Sequence, residues 1–192
     1  MTKHLVITAA RMLLVLTVLT GILYPITITL AANVVFPAQA NGSLIVRDGQ
    51  VIGSALIGQS FTSERYFWPR PSAINYNPLP SGGSNLGPTS AALRAIVIER
   101  AAAIRAANHL PDGTPIPADL LFASGSGLDP QVSPDAVRLQ IDRVATARGF
   151  TSAQRDQLAA LVERSIELPQ FGLLGEPRVN VLLLNLAVDQ IR

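Results

Sequence analysis

Cysteine is absent from this chain of 192 residues, which excludes a disulfide framework, a CxxC redox pair and any cysteine-ligated zinc site. Lysine occurs once, at Lys3, so no G-x-x-x-x-G-K-[S/T] phosphate loop can exist in a folded domain beyond it. Histidine is limited to His4 and His109. His4 falls on the inner side of the membrane segment described below and His109 near a helix end, which excludes a two-histidine metal site. His109 reads as a C-terminal helix residue favouring the dipole, the alternative being a catalytic base. G-x-S-x-G is missing too, and Ser126 between its glycines lacks the outer glycine spacing of a nucleophile elbow. Asp129, Asp135 and Asp142 are spaced as turn, cap and helix-surface residues, with Asp142 placed to pair with Arg138 at i,i+4. Charge is scarce as well. Charged residues make up 15%, where an ordinary globular chain carries roughly 25%. Hydrophobic residues reach 48% and mean hydropathy is +0.34. A disordered polyampholyte is excluded, and some apolar surface must face something other than water. The formal net charge is only +2. Once Lys3 and Arg11 are set aside, thirteen arginines balance thirteen acids, which argues against a nucleic-acid binder.

What the chain does contain is one long apolar run. Met12 to Phe36 is 25 residues without a charge, about 37 Å as a helix and enough to cross a hydrocarbon core of roughly 30 Å with some tilt. Gly21 and Pro25 interrupt it, which membrane helices tolerate, and Pro25 predicts a kink. Ala38-Gln39-Ala40 has the small-x-small form of a signal-peptidase site, so a cleaved leader is the rival reading, but leader h-regions run only about 7–15 residues. Lys3 and Arg11 precede the segment and the next basic residue is Arg47. The positive-inside rule therefore predicts a cytoplasmic N-terminus, residues 1–11, a transmembrane helix, 12–36, and a soluble extracytoplasmic domain, 37–192. The expected location is the plasma (inner) membrane.

Residues 44–52 predict a hairpin turning at Asp48-Gly49, with 54–57 as an optional continuation of its second strand. Next, Phe61, Tyr66, Phe67, Trp68 and Tyr76 supply half of the ten aromatics, interleaved with Arg65 and Arg70. This reads either as a well-packed loop or as a docking surface for another membrane protein, since aromatics and arginines are what interface hot spots favour. A helix is predicted over about Thr89–Asn108, with Leu93, Val97, Ala101 and Ile104 as its stripe. The apolar run at 117–122 predicts a short helix or strand. Ser133-Pro134-Asp135 is a strong helix start, and that helix should bury Val137, Ile141 and Val144 and stop at Gly149. Thr151 with Gln154 predicts a capping box for the next helix, burying Leu158, Leu161 and Val162. Val179–Leu184 predicts a buried strand, and Asn185–Ile191 reads either way. The fold class is thus a single N-terminal transmembrane helix plus one mixed α/β (α+β) extracytoplasmic domain.

Two glycine-serine loops remain, Ser81–Gly87 and Ser124–Gly127. Each could present backbone N–H groups to an anion, or serve as a tight connection needing positive φ.

Five motifs in order carry a resemblance that spans nearly the whole chain. They are Gly21-Ile22-Leu23-Tyr24-Pro25, Arg70-Pro71-Ser72-Ala73, Ser81-Gly82-Gly83-Ser84-Asn85-Leu86-Gly87, Ala123-Ser124-Gly125-Ser126-Gly127-Leu128-Asp129-Pro130 and Gly175-Glu176-Pro177-Arg178-Val179-Asn180-Val181. Together they resemble the C subunit of the bacterial high-affinity potassium-transporting ATPase, the Kdp system. The resemblance implies a non-catalytic accessory subunit that stabilises a membrane complex. Its implied partners are a channel-like potassium-selecting subunit and a P-type subunit that hydrolyses ATP. It also implies a catalytic chaperone that raises the pump subunit's affinity for ATP, with nucleotide contact through Ser81, Gly82, Gly83 and Ser84. ATP is thus the one implied cofactor, and no catalytic or metal residue is expected. Gly21, Tyr24 and Pro25 in the helix, with Arg65, Tyr66, Phe67, Trp68 and Arg70 in the aromatic segment, are the expected docking residues. The alternative reading is a free-standing, membrane-anchored envelope ligand-binding protein or hydrolase.

Overall fold

The computed structural model describes residues 2–191. Helix runs continuously from Thr2 to Val35, as α1 (Thr2–Val18), a π-helical turn (Leu19–Leu23) and α2 (Tyr24–Val35). It extends past the uncharged run through Lys3, His4 and Arg11. Its 34 residues have a hydropathy of 2.2, long and apolar enough to span a membrane. The π turn lies where Pro25 demands it. Proline has no N–H to donate and its ring crowds the carbonyl four residues back, and the Tyr24 N–H instead bonds Leu19 O, five residues away. Polar side chains bond within the helix: Thr20 Oγ1 donates to Leu16 O at 2.7 Å, Thr27 Oγ1 to Leu23 O at 2.8 Å and Asn33 Nδ2 to Thr29 O at 2.8 Å. That satisfies groups which hydrocarbon would leave unpaired. Short α3 (Pro37–Ala40) contains the Ala38-Gln39-Ala40 motif.

Strands β1 (Leu44–Arg47) and β2 (Gln50–Ser54) pair antiparallel around the expected turn. Asp48 at φ 51 and Gly49 at φ 76 occupy its two central positions, the left-handed pair that a two-residue hairpin needs. The strand ends at Ser54 and does not continue to Ile57. Contacts divide the chain into two compact units, the first ending at Ser54 and the second beginning at Ala55.

The regular structure of the second unit is mostly helical. It comprises α4 (Ala91–Ala107), α5 (Ala118–Leu121), β3 (Gln131–Val132), α6 (Pro134–Arg138), α7 (Ile141–Arg148), α8 (Ser152–Arg164), β4 (Val179–Asn180) and α9 (Val181–Val188). The start signals act where expected. Ser133 Oγ accepts from Ala136 N at 3.2 Å, and Thr151 with Gln154 forms the capping box. Gly149 ends α7 at φ 68. The predicted single helix from Ser133 breaks at Leu139-Gln140, yet Val137, Ile141 and Val144 are all buried. They join Phe67, Leu158, Val162, Val179, Leu184 and Val188 in one core. Leu161 packs against this core partly buried. Of the α4 stripe only Ile104 is buried.

One element differs in kind. The predicted strand Val179–Leu184 is a strand only at Val179–Asn180, where it pairs antiparallel with β3. Helix α9 follows at once. Asn180 caps it, its Oδ1 accepting from Leu183 N at 3.1 Å. An all-apolar run has no period to distinguish strand from helix, and burial on several sides suits either. Asp142 also differs: it pairs with Arg155 at 2.6 Å, whereas Arg138 holds Asp135 and Glu163 at 3.0 and 2.7 Å.

Candidate functional site

Between β2 and α4, residues 55–90 form neither helix nor strand. So long a stretch cannot pair all its backbone polar groups within itself, and side chains of α7, α9 and the turn before α7 supply partners. Phe67 donates its N–H to Asn185 Oδ1 at 2.8 Å, and Asn185 Nδ2 donates back to Phe67 O at 3.0 Å. Gln140 repeats the device one residue on, accepting from Trp68 N at 2.7 Å and donating to Trp68 O at 3.3 Å. The two buried amides act as a substitute strand for this strap. Arg143, 4% exposed, completes the clamp. Its guanidinium donates to Asn108 Oδ1 at 3.1 Å, Glu64 O at 2.6 Å, Tyr66 O at 3.1 Å and Gln140 Oε1 at 2.6 Å. It also stacks 4.3 Å from the Trp68 ring centroid. Burial pushes its pKa down to about 10, which leaves it charged at neutral pH. Arg148 grips the next turn, donating to Arg65 O at 2.7 Å and Asp189 at 2.8 Å and lying 4.9 Å from the Tyr66 ring centroid.

The expected docking residues are therefore distributed differently from the expectation. Phe67 is 0% exposed and belongs to the core, which corrects its reading as a surface anchor. Tyr66 and Trp68 are half-buried, and the indole Nε1 donates to Ser63 O at 3.1 Å. Arg65 is exposed. Arg70 pairs with Asp129 at 3.2 Å and donates to Phe122 O at 3.2 Å. That pair stands on the wall of a groove of about 1010 Å³, which also gathers Asp119, Asp135, Glu176 and Arg178.

Sequence reasoning missed Gln140, Arg143 and Asn185. A signal was available: each is a polar residue at a buried position of an otherwise apolar pattern, Asn185 between Leu184 and Leu186, Gln140 and Arg143 beside Ile141 and Val144.

The two glycine-serine loops lie against each other. Gly82 donates its N–H to Ser126 O at 3.0 Å, and a Cβ on Gly83 would come 3.1 Å from Gly125 O. Gly127, at φ +71, would place a Cβ 2.5 Å from Ile74 Cγ1 and 2.8 Å from Gly82 O. Close backbone approach explains Gly83, while Gly127 needs both that approach and positive φ. Tyr76 stands near this junction, its hydroxyl donating to Arg70 O. Burial pushes its pKa up from 10.0 to about 12. A raised acid pKa means the neutral form is favoured by folding, so the associated stability is intact below pH 10 and is lost between about 10 and 12. Following phenolate absorbance, one tyrosine should ionise only near pH 12, and Tyr76→Phe should remove that late step. A common midpoint near 10 for all three tyrosines would contradict it.

A family model described as "KdpC: K+-transporting ATPase, c chain" matches residues 6–190. The chain belongs to that family. A potassium-transporting ATPase KdpC subunit of Methylococcus capsulatus is 52% identical over 188 residues, 96% of each chain. A subunit of the same name from Burkholderia vietnamiensis is 54% identical over 178 residues, 91% of this chain and 90% of the relative. For a KdpC-family chain, the motifs quoted from the sequence now have structural reasons. Ser81–Gly83 and Ser124–Gly127 form one backbone junction, and Arg70 crosses to Asp129. Gly175–Val181 leads into β4 and α9.

Proposed function

We propose that this chain is the accessory, non-catalytic subunit of an ATP-driven potassium importer. Its N-terminal helix anchors it in the plasma membrane, and its folded domain lies on the outer side. Membership of the KdpC family carries the reading. Lys3 and Arg11 flanking the apolar segment support the orientation. The partners are a potassium-selecting, channel-like subunit and a P-type subunit that hydrolyses ATP, whose ATP affinity this chain raises. Nucleotide contact through Ser81–Ser84, which the resemblance implies, would need these residues on the cytoplasmic side, opposite to the orientation that Lys3 and Arg11 support.

The helix supports docking in the membrane. None of the residues of α1, the π turn or α2 is buried, and a Cβ added to Gly21 would meet only Thr17 Cγ2, at 4.0 Å. Glycine inside a helix costs about 1 kcal/mol relative to alanine, and among the described residues only Thr17 comes near the space it leaves. We assign that space to a helix of a partner, with Tyr24 and the Pro25 bend beside it. Tyr66, Trp68, Arg65 and Arg70 hold the shape of the outer surface in this reading. The test is to express the tagged chain with the ATPase subunits and purify it in mild detergent. The subunits should co-purify, protease added to spheroplasts should remove the outer domain, and Gly21→Leu should cut recovery of the partners several-fold. Solitary elution of the unmodified chain would sink the reading.

A further inference from the structure

Residues 167–178 form a finger that projects apolar side chains away from the core. Its base is closed by Glu167 and Arg178, which exchange backbone hydrogen bonds at 2.8 and 3.0 Å and an ion pair at 3.0 Å. Nearer the tip, Gln170 and Leu174 exchange bonds at 2.9 and 3.0 Å. Leu168 above the base and Phe171, Leu173 and Leu174 at the tip are 74%, 84%, 86% and 60% exposed. Phe171 holds φ 57, a region that a bulky residue seldom adopts. Strain of this kind marks sites where the geometry serves something beyond the local fold.

We propose that this finger inserts into an apolar recess on the outer surface of another subunit of the ATPase complex, a recess bordered by basic side chains. The proposal rests on the accessory-subunit reading and names its outer contact. Four large apolar side chains clustered in the open are the kind of patch that marks an interaction site in a soluble domain. Charge identifies the occupant. Residues 168–175 carry no charge, and the finger as a whole has Glu167 and Glu176 against Arg178 alone. Glu176 and Arg178 also stand on the groove, whose acids Asp119, Asp129, Asp135 and Glu176 outnumber Arg70 and Arg178, with Asp135 paired to Arg138. An apolar plug with an acidic rim suits a protein recess with a basic rim. A bilayer wedge would instead carry Lys or Arg, and usually Trp or Tyr, at its edge, and Arg178 is already committed to Glu167.

The absence of cysteine makes the test direct. Leu173→Cys gives a single site for an environment-sensitive dye on the full chain. Its emission should shift to the blue in the assembled complex and stay water-like when the chain alone sits in vesicles containing phosphatidylglycerol. Phe171→Asp with Leu173→Asp should cut recovery of the partner subunits about tenfold, as loss of an interface anchor does. The urea midpoint read from Trp68 should stay unchanged, because the tip lies outside the core. A blue shift in vesicles without partners would make the finger a membrane wedge and overturn the proposal. So would a water-like dye within a complex that still assembles. If the unmodified chain never assembles, the accessory-subunit reading fails, and the proposal with it.

Discussion

Replacing Arg143 with methionine should lower the stability of the folded unit that begins at Ala55 by about 3 kcal/mol, a large part of the 5–15 kcal/mol typical of a domain. The guanidinium serves four acceptors, Glu64 O, Tyr66 O, Asn108 Oδ1 and Gln140 Oε1. Methionine fills similar volume and removes a costly buried charge, which is why exchanging a buried charge for an apolar side chain is sometimes neutral. Here three acceptors stay behind without a donor, since Gln140 Oε1 keeps the Trp68 N–H. Each buried acceptor left without a donor costs about 1–3 kcal/mol, and relaxation recovers only part of that. Arg143→Lys should be nearly as damaging, since one ammonium cannot reproduce a planar fork. The chain has one tryptophan, and it lies under this guanidinium, so urea unfolding followed by Trp68 fluorescence reads the site itself. A loss below about 1 kcal/mol for both variants would mean that Asn185 and Gln140 hold the strap unaided.

The second large effect is expected at the loop junction. Gly127→Ala should destabilise by about 2–3 kcal/mol, combining the left-handed backbone penalty of about 1–2 kcal/mol with a forced shift. The added Cβ would meet Ile74 Cγ1 at 2.5 Å and the Gly82 carbonyl oxygen at 2.8 Å. Ile74 can move, but the carbonyl belongs to the Ser81–Ser84 loop and carries it along. Gly82→Ala is the control, because its Cβ would meet nothing within 4 Å. It should leave the melting temperature of the domain within a degree or two, about 0.5 kcal/mol. The pair also separates fold from function. If Ser81–Ser84 contacts nucleotide, Gly82→Ala should raise the KM for ATP of the complex with stability unchanged. An unchanged KM is what the outer orientation requires, and a raised one would overturn that orientation.

Much of the chain could be read without coordinates, for local reasons. An uncharged run of 25 residues has one economical conformation in lipid. The caps at Ser133 and Thr151, the stop at Gly149 and the turn at Asp48-Gly49 depend on the side chains and φ preferences of a few neighbouring residues. The family resemblance was legible as well, because five short motifs held their order. Val181–Val188 was not, since apolar residues on every side erase the period that tells helix from strand.

The sequence by itself therefore determined the long apolar N-terminal helix, the caps and turns, and the family. Tertiary structure alone decided the course of residues 55–90 and the roles of the groups around it. Local bonds such as Tyr66 N–H to Ser63 O and Asn77 N–H to Ile74 O close single turns only, and the strap through Tyr66–Trp68 takes its other backbone partners from outside. Asn185, Gln140 and Arg143 supply them from 72 to 118 positions away, and separations of that size leave no local pattern. The same physics turned Phe67 inward while Tyr66 and Trp68 became half-buried stacking partners of Arg148 and Arg143. It also left Phe171 and Leu173 in the open. Both kinds of aromatic look alike as letters. Which one is core depends on what the rest of the fold brings against it.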